Sequence, residues 1–361
     1  MSKRILFISN GHGEDGIMAK LIETFDLDGE NYDIFVLPMV GKSTVFNRLK
    51  NITKIGPQKE TSSGGFIKSF KNIVSDIREG LIALHLQQLR NARKQSYDMV
   101  VVVGDFFPFL MSMLFLKYNH MVLISTAKSD RFEKHFFFER FFFRAQKALV
   151  YARDLETAQS LVNKGVNAHY KGNIMMDEVT CFPKKRTKVA SNVKIGVLPG
   201  SRVEAYKNFM IIKKVINHLP RDWPIQVAVS KLLDKGKFVL SDIDQQVDFV
   251  DFSELLKNSD AVIGLAGTAN EQCVGCGVPV FAFPATGMQT TRKRFLQQKK
   301  LLNGLVEYVD TSDSVIIAKR IIECLSSECF VENVRVNGPE SMGKPGGAAA
   351  IAGDIKCILE F

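Results

Sequence analysis

The sequence predicts an α/β protein built of two Rossmann-like doubly wound domains facing a cleft. Three observations carry the prediction. Short apolar, β-branched runs alternate with longer helical patterns, the rhythm of β-α units around a parallel sheet covered on both faces. The rhythm breaks once, at the polar, basic stretch CFPKKRTKVASN that begins at Cys181, and then resumes. The chain has 361 residues, which at roughly 150 per domain makes two domains with a core each.

In order, the first domain (1–182) carries strand runs at 5–9, 34–37, 99–103, 121–125 and 148–151, with helical stretches at 17–25, after 103 and at 155–164. The run 99–116 approaches the length of a membrane span. It contains Asp105 and Pro108 and starts β-branched, so it reads as strand, loop and buried helix. The second domain (190–338) repeats the pattern with strands at 195–198, 225–229, 247–250, 261–265 and 280–282. The tail, 339–361, reads as a loop and a small-residue helix packing back on the first domain. Ligands of such folds sit at the carboxyl ends of the parallel strands, so the loops after those strands hold the candidate site.

Hydrophobic residues make up 46% and charged residues 24%, which excludes extended disorder. Lysine and arginine exceed acids by 10, favouring an anionic partner: lipid, nucleotide or nucleic acid. No recognition-helix or aromatic-and-basic sheet pattern supports nucleic acid, so none is expected. The six cysteines show no pairing by spacing, Cys273 and Cys276 read as small apolar residues, and the first residues lack a secretory apolar core. A cytoplasmic location is expected.

The loop after the first strand, Gly11-His12-Gly13-Glu14-Asp15-Gly16, formally matches a dinucleotide fingerprint, but two acids at a helix start oppose a pyrophosphate. It presents His12, Glu14 and Asp15 at the sheet edge instead. Asp105, after Gly104, stands at a strand end inside an apolar stretch, placing it as a general base or as a helix cap. In the second domain, Leu198-Pro199-Gly200-Ser201-Arg202 offers amides, a hydroxyl and a guanidinium suited to phosphate. Gly267-Thr268-Ala269 opens a second side-chain-poor helix, with Glu271 or Gln272 one turn in to hold a ribose diol; two such starts suit a diphosphate.

The stretch 132–144 (FEKHFFFERFFFR), from Phe132 to Arg144, carries seven of the 27 phenylalanines. On a helical wheel Phe132, Phe136 and Phe143 share one side while Phe138, Phe141 and Phe142 take the other. With Lys134, His135, Arg140 and Arg144 between them, the second face suits either an anionic membrane surface or burial between domains. The basic run 68–94, with Ile73, Ile77, Leu81 and Leu84 at helical spacing, offers a similar patch.

The LPGSR strand end, the GTA loop, the glycine-rich acidic loop, Gly104-Asp105 and YKGNIMMDE from Tyr170 occur in an order that resembles lipid-A-disaccharide synthase-related proteins across nearly the whole chain. The resemblance implies a GT-B glycosyltransferase, with a UDP-sugar donor on the C-terminal domain, a lipid-linked acceptor on the N-terminal domain, and no cofactor or metal. It assigns Gly200, Ser201, Arg202, Gly267, Thr268, Ala269, Glu271 or Gln272, and Gln289 to the donor. Asp105, or else His12 or Glu14, becomes the base; Gly11, Gly13 and Asp15 form the acceptor-side loop, and Gly172-Asn173 the hinge. The family loop runs roughly G-E-x-S-G-D, and its acid after GTA falls at Gln272, so both sites depart from the pattern here. A protein peripheral on the inner face of the cytoplasmic membrane follows. Two other readings stand beside it: a UDP-sugar 2-epimerase of the same fold, and a catalytically silent nucleotide- or lipid-binding relative.

Overall fold

The computed structural model describes residues 2–11, 13–25, 32–41, 43–57, 81–182, 193–231, 233–287 and 290–360. His12, Gln289 and residues 68–80 of the basic run 68–94 lie outside them. The chain divides into two compact units, Met1–Glu178 with Pro345–Phe361, and Val179–Lys344.

The first unit is a seven-stranded sheet, ordered β3-β2-β1-β4-β5-β6-β7, whose neighbours are all parallel. Its strands are β1 (Lys3–Ser9), β2 (Tyr32–Pro38), β3 (Ile52–Lys54), β4 (Ser96–Gly104), β5 (Lys117–Ser125), β6 (Leu149–Tyr151) and β7 (Ala168–His169). β1 and β4 lie at the centre, and Ile5, Leu6, Phe7 and Val100 to Val103 are fully buried. Covering both faces of a strand demands such an uninterrupted apolar run. The order reverses between β1 and β4, which pair from Ile5↔Met99 to Ser9↔Val103. Their loops therefore splay apart at a topological switch point, where doubly wound sheets bind ligands.

The helices of this unit are α1 (Gly13–Phe25), α2 (Leu81–Ala92), α3 (Phe106–Phe115), α4 (Phe137–Ala145), α5 (Leu155–Val162), α6 (Ile174–Asp177) and, from the far end of the chain, α13 (Gly347–Glu360). α13 packs against α1 and is pinned by three contacts. Tyr151 donates to Asp354 at 2.8 Å, Lys171 pairs with Asp354 at 3.2 Å, and the Asp177 carboxylate caps the helix start at Gly346 and Ala348.

The second unit holds a six-stranded parallel sheet, β10-β9-β8-β11-β12-β13, formed by β8 (Ile195–Leu198), β9 (Ile225–Val227), β10 (Val247–Phe249), β11 (Ala261–Gly264), β12 (Val280–Ala282) and β13 (Val306–Tyr308). Its helices are α7 (Ala205–Ile216), α8 (Phe252–Asn258), α9 (Thr268–Gly275), α10 (Arg292–Leu301), α11 (Ser314–Leu325) and α12 (Glu328–Met342). The order reverses between β8 and β11, so the loops after them flank the second switch point.

Four expectations are corrected. The division falls at Glu178 and Lys344, not at 182 and 338, because α12 continues through Pro339 to Met342 and packs on α9. The phenylalanine helix starts at Phe137, since a bridged turn between Ser129 and Glu133 precedes it and Phe136 is its extended N-cap. Phe136 is therefore 51% exposed instead of sharing the buried side with Phe143. Cys276 is no simple apolar filler: it is disulfide-bonded to Cys181, 95 residues away, a separation at which spacing carries no signal.

Candidate functional site

In the first unit the switch point gathers acids. Gly11 turns the chain out of β1 at φ +99°, and a Cβ there would come 2.5 Å from the Val40 carbonyl oxygen, so only glycine fits. α1 then opens at Gly13, which places Glu14 and Asp15 in its first turn. Asp15 is buried and accepts from the Ser9 hydroxyl at 2.5 Å. Burial pushes its pKa up to about 6, against the lowering effect of the Ser9 bond. Asp15 thus braces the loop from inside.

Glu14 faces the β4 end. Its carboxylate receives a long hydrogen bond from Thr126 Oγ1 at 3.5 Å. Burial pushes its pKa up to about 7, and the negative charges of Asp105 and Asp15 push in the same direction. Asp105 caps α3, accepting from the Phe107 amide at 2.9 Å through Oδ1 and from Asn10 Nδ2 at 3.4 Å through Oδ2. Burial raises its pKa as well. Of the base and the cap foreseen for Asp105, the cap is present, and beside it stands Glu14, a second acid raised by burial, to about 7.

Behind this pair lies a polar chain that sequence reasoning did not single out. Lys128 donates to both oxygens of buried Glu139 at 2.8 and 2.9 Å. Glu139 also accepts from the Phe136 amide at 2.9 Å and meets His135 Nδ1 at 3.2 Å, and His135 Nε2 meets the Ser125 hydroxyl at 3.2 Å. Burial alone would raise the Glu139 pKa, but the bonds from His135 and Lys128 and the lysine charge hold it below the ordinary value. Lys128 lies 3.8 Å from the centre of the Phe136 ring.

α3 and α4 carry the aromatic surface. Phe143 and Phe109 are buried and meet edge to face at 5.0 Å between ring centres. Phe106, half-buried, bridges them to Phe138 and Phe142 at 5.5 and 5.9 Å. Outward from that seam Phe107, Leu114, Phe115, Phe136, Phe137, Phe138 and Phe141 are exposed, Phe137 by 77%. Lys134, Arg140 and Arg144 border them. No helix among the described residues is long and apolar enough to cross a membrane.

In the second unit the switch point gathers backbone amides and a cation. Gly200 leaves β8 at φ +115° and delivers exposed Ser201 and partly exposed Arg202 ahead of α7. Across the switch point Gly267 is the N-cap of α9 with no side-chain cap, and the space beside its Cα is open. The first-turn amides of Thr268 and Ala269 have no acceptor inside a helix. Of the two alternatives for the ribose, Glu271 is partly exposed and meets Gln298 Nε2 at 3.4 Å, whereas Gln272 is buried.

Three carboxamides missed in the sequence hold these loops. Asn270 donates to the Gly264 carbonyl at 2.9 Å and to Gln298 Oε1 at 3.2 Å, and Gln298 donates to the Gly267 carbonyl at 3.0 Å. Asn208 spans from Pro199 to Thr286. A signal existed: Asn208 precedes Ile212 and Val215, and Gln298 follows Phe295, at the helical spacing of buried stripes. Gly172 (φ +103°) and Asn173, which caps α6 by accepting from the Met175 amide at 3.1 Å, lie in the first unit ahead of its crossing at Glu178. Among the described residues no group of three His, Cys, Asp or Glu could hold a metal ion.

No family model and no curated protein sequence matches the chain. Solved structures do. The calicheamicin glycosyltransferase CalG4 aligns over 99% of this chain and 98% of its own, with 12% identity and a TM-score of 0.63. MurG of Acinetobacter baumannii aligns over 98% and 99%, with 11% identity and a TM-score of 0.62. A UDP-GlcNAc 2-epimerase of Neisseria meningitidis, bound to UDP-GlcNAc, aligns over 99% of both chains, with 15% identity and a TM-score of 0.53. The fold is thus that of GT-B glycosyltransferase structures, two parallel-sheet α/β units of seven and six strands.

Proposed function

We propose that this protein transfers a sugar from a UDP-linked donor to a hydroxyl of a lipid-linked acceptor at an anionic membrane surface. The observation that carries the reading is the pairing, in one chain, of a neutral-range acid at one sheet edge with open amides and an arginine at the other. Architectures of this kind serve a glycosyltransferase and an enzyme bound to UDP-GlcNAc among the similar structures.

The chemistry balances with this chain's own groups. The Glu14 carboxylate takes the acceptor hydroxyl's proton while that oxygen bonds to the anomeric carbon. The bond from that carbon to the diphosphate breaks, and the diphosphate leaves with the electron pair. Within the second unit, Arg202 and the Thr268 and Ala269 amides are groups suited to the charge of a diphosphate. Burial first, and then the charges of Asp105 and Asp15, raise the Glu14 pKa to about 7, basic enough to accept a proton near neutral pH. The lipid acceptor and the membrane surface are supported by the exposed phenylalanines and their basic border.

A 2-epimerase is the second reading, favoured by the similar structure holding UDP-GlcNAc. The test incubates the protein with radiolabelled UDP-N-acetylglucosamine and vesicles made from a bacterial lipid extract. Label moving into the organic phase supports transfer. A soluble 2-epimer without lipid label supports the second reading, and no consumption of any UDP-sugar in a panel contradicts both.

A further inference from the structure

We propose that Asn208 is a positioning residue for the diphosphate: it fixes the spacing between the loop after β8 and the loop after β12 so that both address one ligand. The inference rests on the donor reading above and names a residue that reading does not use.

Asn208 lies on α7 and is 2% exposed. Its Nδ2 donates to the Pro199 carbonyl at 3.1 Å, and its Oδ1 accepts from the Thr286 amide at 2.9 Å. Pro199 opens the Gly200-Ser201-Arg202 turn, and Thr286 precedes Gly287. One flat carboxamide thus ties together loops that are 87 residues apart in the chain by Pro199 and Thr286 numbering. An independent observation places the loops side by side: a Cβ on Gly287 would lie 3.4 Å from Glu204 Cγ, so the second loop runs close over the start of α7. Gly200 shows the same closeness from the other side, with its Cβ position 3.9 Å from Asn208 Nδ2.

Only a side chain with a donor and an acceptor on one short stem fits both contacts. Aspartate keeps the acceptor for Thr286 but sets a carboxylate oxygen against the Pro199 carbonyl. Serine is too short to span both. The flanking strand ends β8 and β11 are already joined by the Leu265 amide to the Leu198 carbonyl at 2.8 Å. Asn208 is what adds the β12 loop to that frame.

The test titrates UDP and uridine calorimetrically into wild type, Asn208→Asp and Asn208→Ser, with a thermal melt of each. Both substitutions are expected to weaken UDP about tenfold while uridine affinity stays within about twofold, because the donor reading sets the Gly200-Ser201-Arg202 turn that Asn208 holds against the diphosphate. A lowered melting temperature with the ratio of UDP to uridine affinity unchanged would overturn the proposal, since Asn208 would then serve folding alone. Failure of wild type to bind UDP overturns the donor reading itself, a separate result. If neither variant folds, hydrogen exchange on wild type decides: UDP should slow exchange at the Thr286 amide, and an unchanged rate overturns the proposal.

Discussion

The two sheet edges use the same topology for opposite chemistry. In each unit the strand order reverses beside the first strand, and the loops after β1 and β4, or β8 and β11, flank the gap. The first unit fills its gap with carboxyl groups among apolar walls, which raises the pKa values of Glu14, Asp15 and Asp105. The second leaves its gap to glycine, open amides and Arg202. A buried acid suits handling a proton, and open amides suit handling an anion. The difference teaches that the fold fixes where chemistry happens, while the residues after each strand fix which chemistry it is.

The sharpest way to break the comparison is at Glu14. Glu14→Gln should lower turnover by about 10²–10⁴-fold, with nucleotide affinity unchanged, as measured by product formation and by UDP titration. Unaltered turnover would move the proton to another group. The next effect concerns what lies beside the acid edge. Phe137→Ser with Phe141→Ser removes two exposed rings, each worth about 1.5–3 kcal/mol on burial in lipid. Flotation with anionic vesicles should fall about 100-fold or more, and unchanged flotation would show that the aromatic surface is not the docking face.

The pH dependence of stability separates the edges further. Both Glu14 and Asp15 have folded pKa values above their ordinary ones. Between the ordinary and the raised value the native state holds more protons than the unfolded chain, so stability falls as pH rises. The loss runs from about 4.5 to about 7 for Glu14 and from 3.8 to about 6 for Asp15. It amounts to up to about 3 kcal/mol for each. Denaturant titrations across that range should show the slope in wild type and lose much of it in Glu14→Gln, whereas Arg202→Ala should keep it. The smallest effect is at the other edge. Arg202→Ala removes a charged partner worth about 1.5 kcal/mol, the lower end for such a contact, so UDP affinity should fall about tenfold with the acid edge untouched.

Most of the fold was legible because central parallel strands, buried on both faces, must be unbroken apolar runs. β1, β4, β5, β8 and β11 stand where those runs stand. β3, β7 and β13 were not foreseen: they are two or three residues long and stand at or next to sheet edges, where the burial that writes a pattern is incomplete. The loops at the switch points were legible for the same reason as the strands they follow. What was illegible is what depends on distance in the chain. Glu14 and Asp105 could each be named, and Asp105 as a cap, but only pairing of β1 with β4 puts the two acids beside each other. The Cys181–Cys276 bond, the Lys128–Glu139 pair and the Asn208 bridge join residues whose partners no local rule selects. Phe136 was misplaced because a wheel assumes a helix, and the Ser129–Glu133 turn delays the helix until Phe137.

The division of labour between the edges is tested most directly by titrating UDP calorimetrically into wild type, Glu14→Gln and Arg202→Ala. Wild type and Glu14→Gln should bind with the same affinity and Arg202→Ala about tenfold more weakly. Absence of UDP binding in wild type, or a loss in Glu14→Gln as large as that in Arg202→Ala, would contradict it.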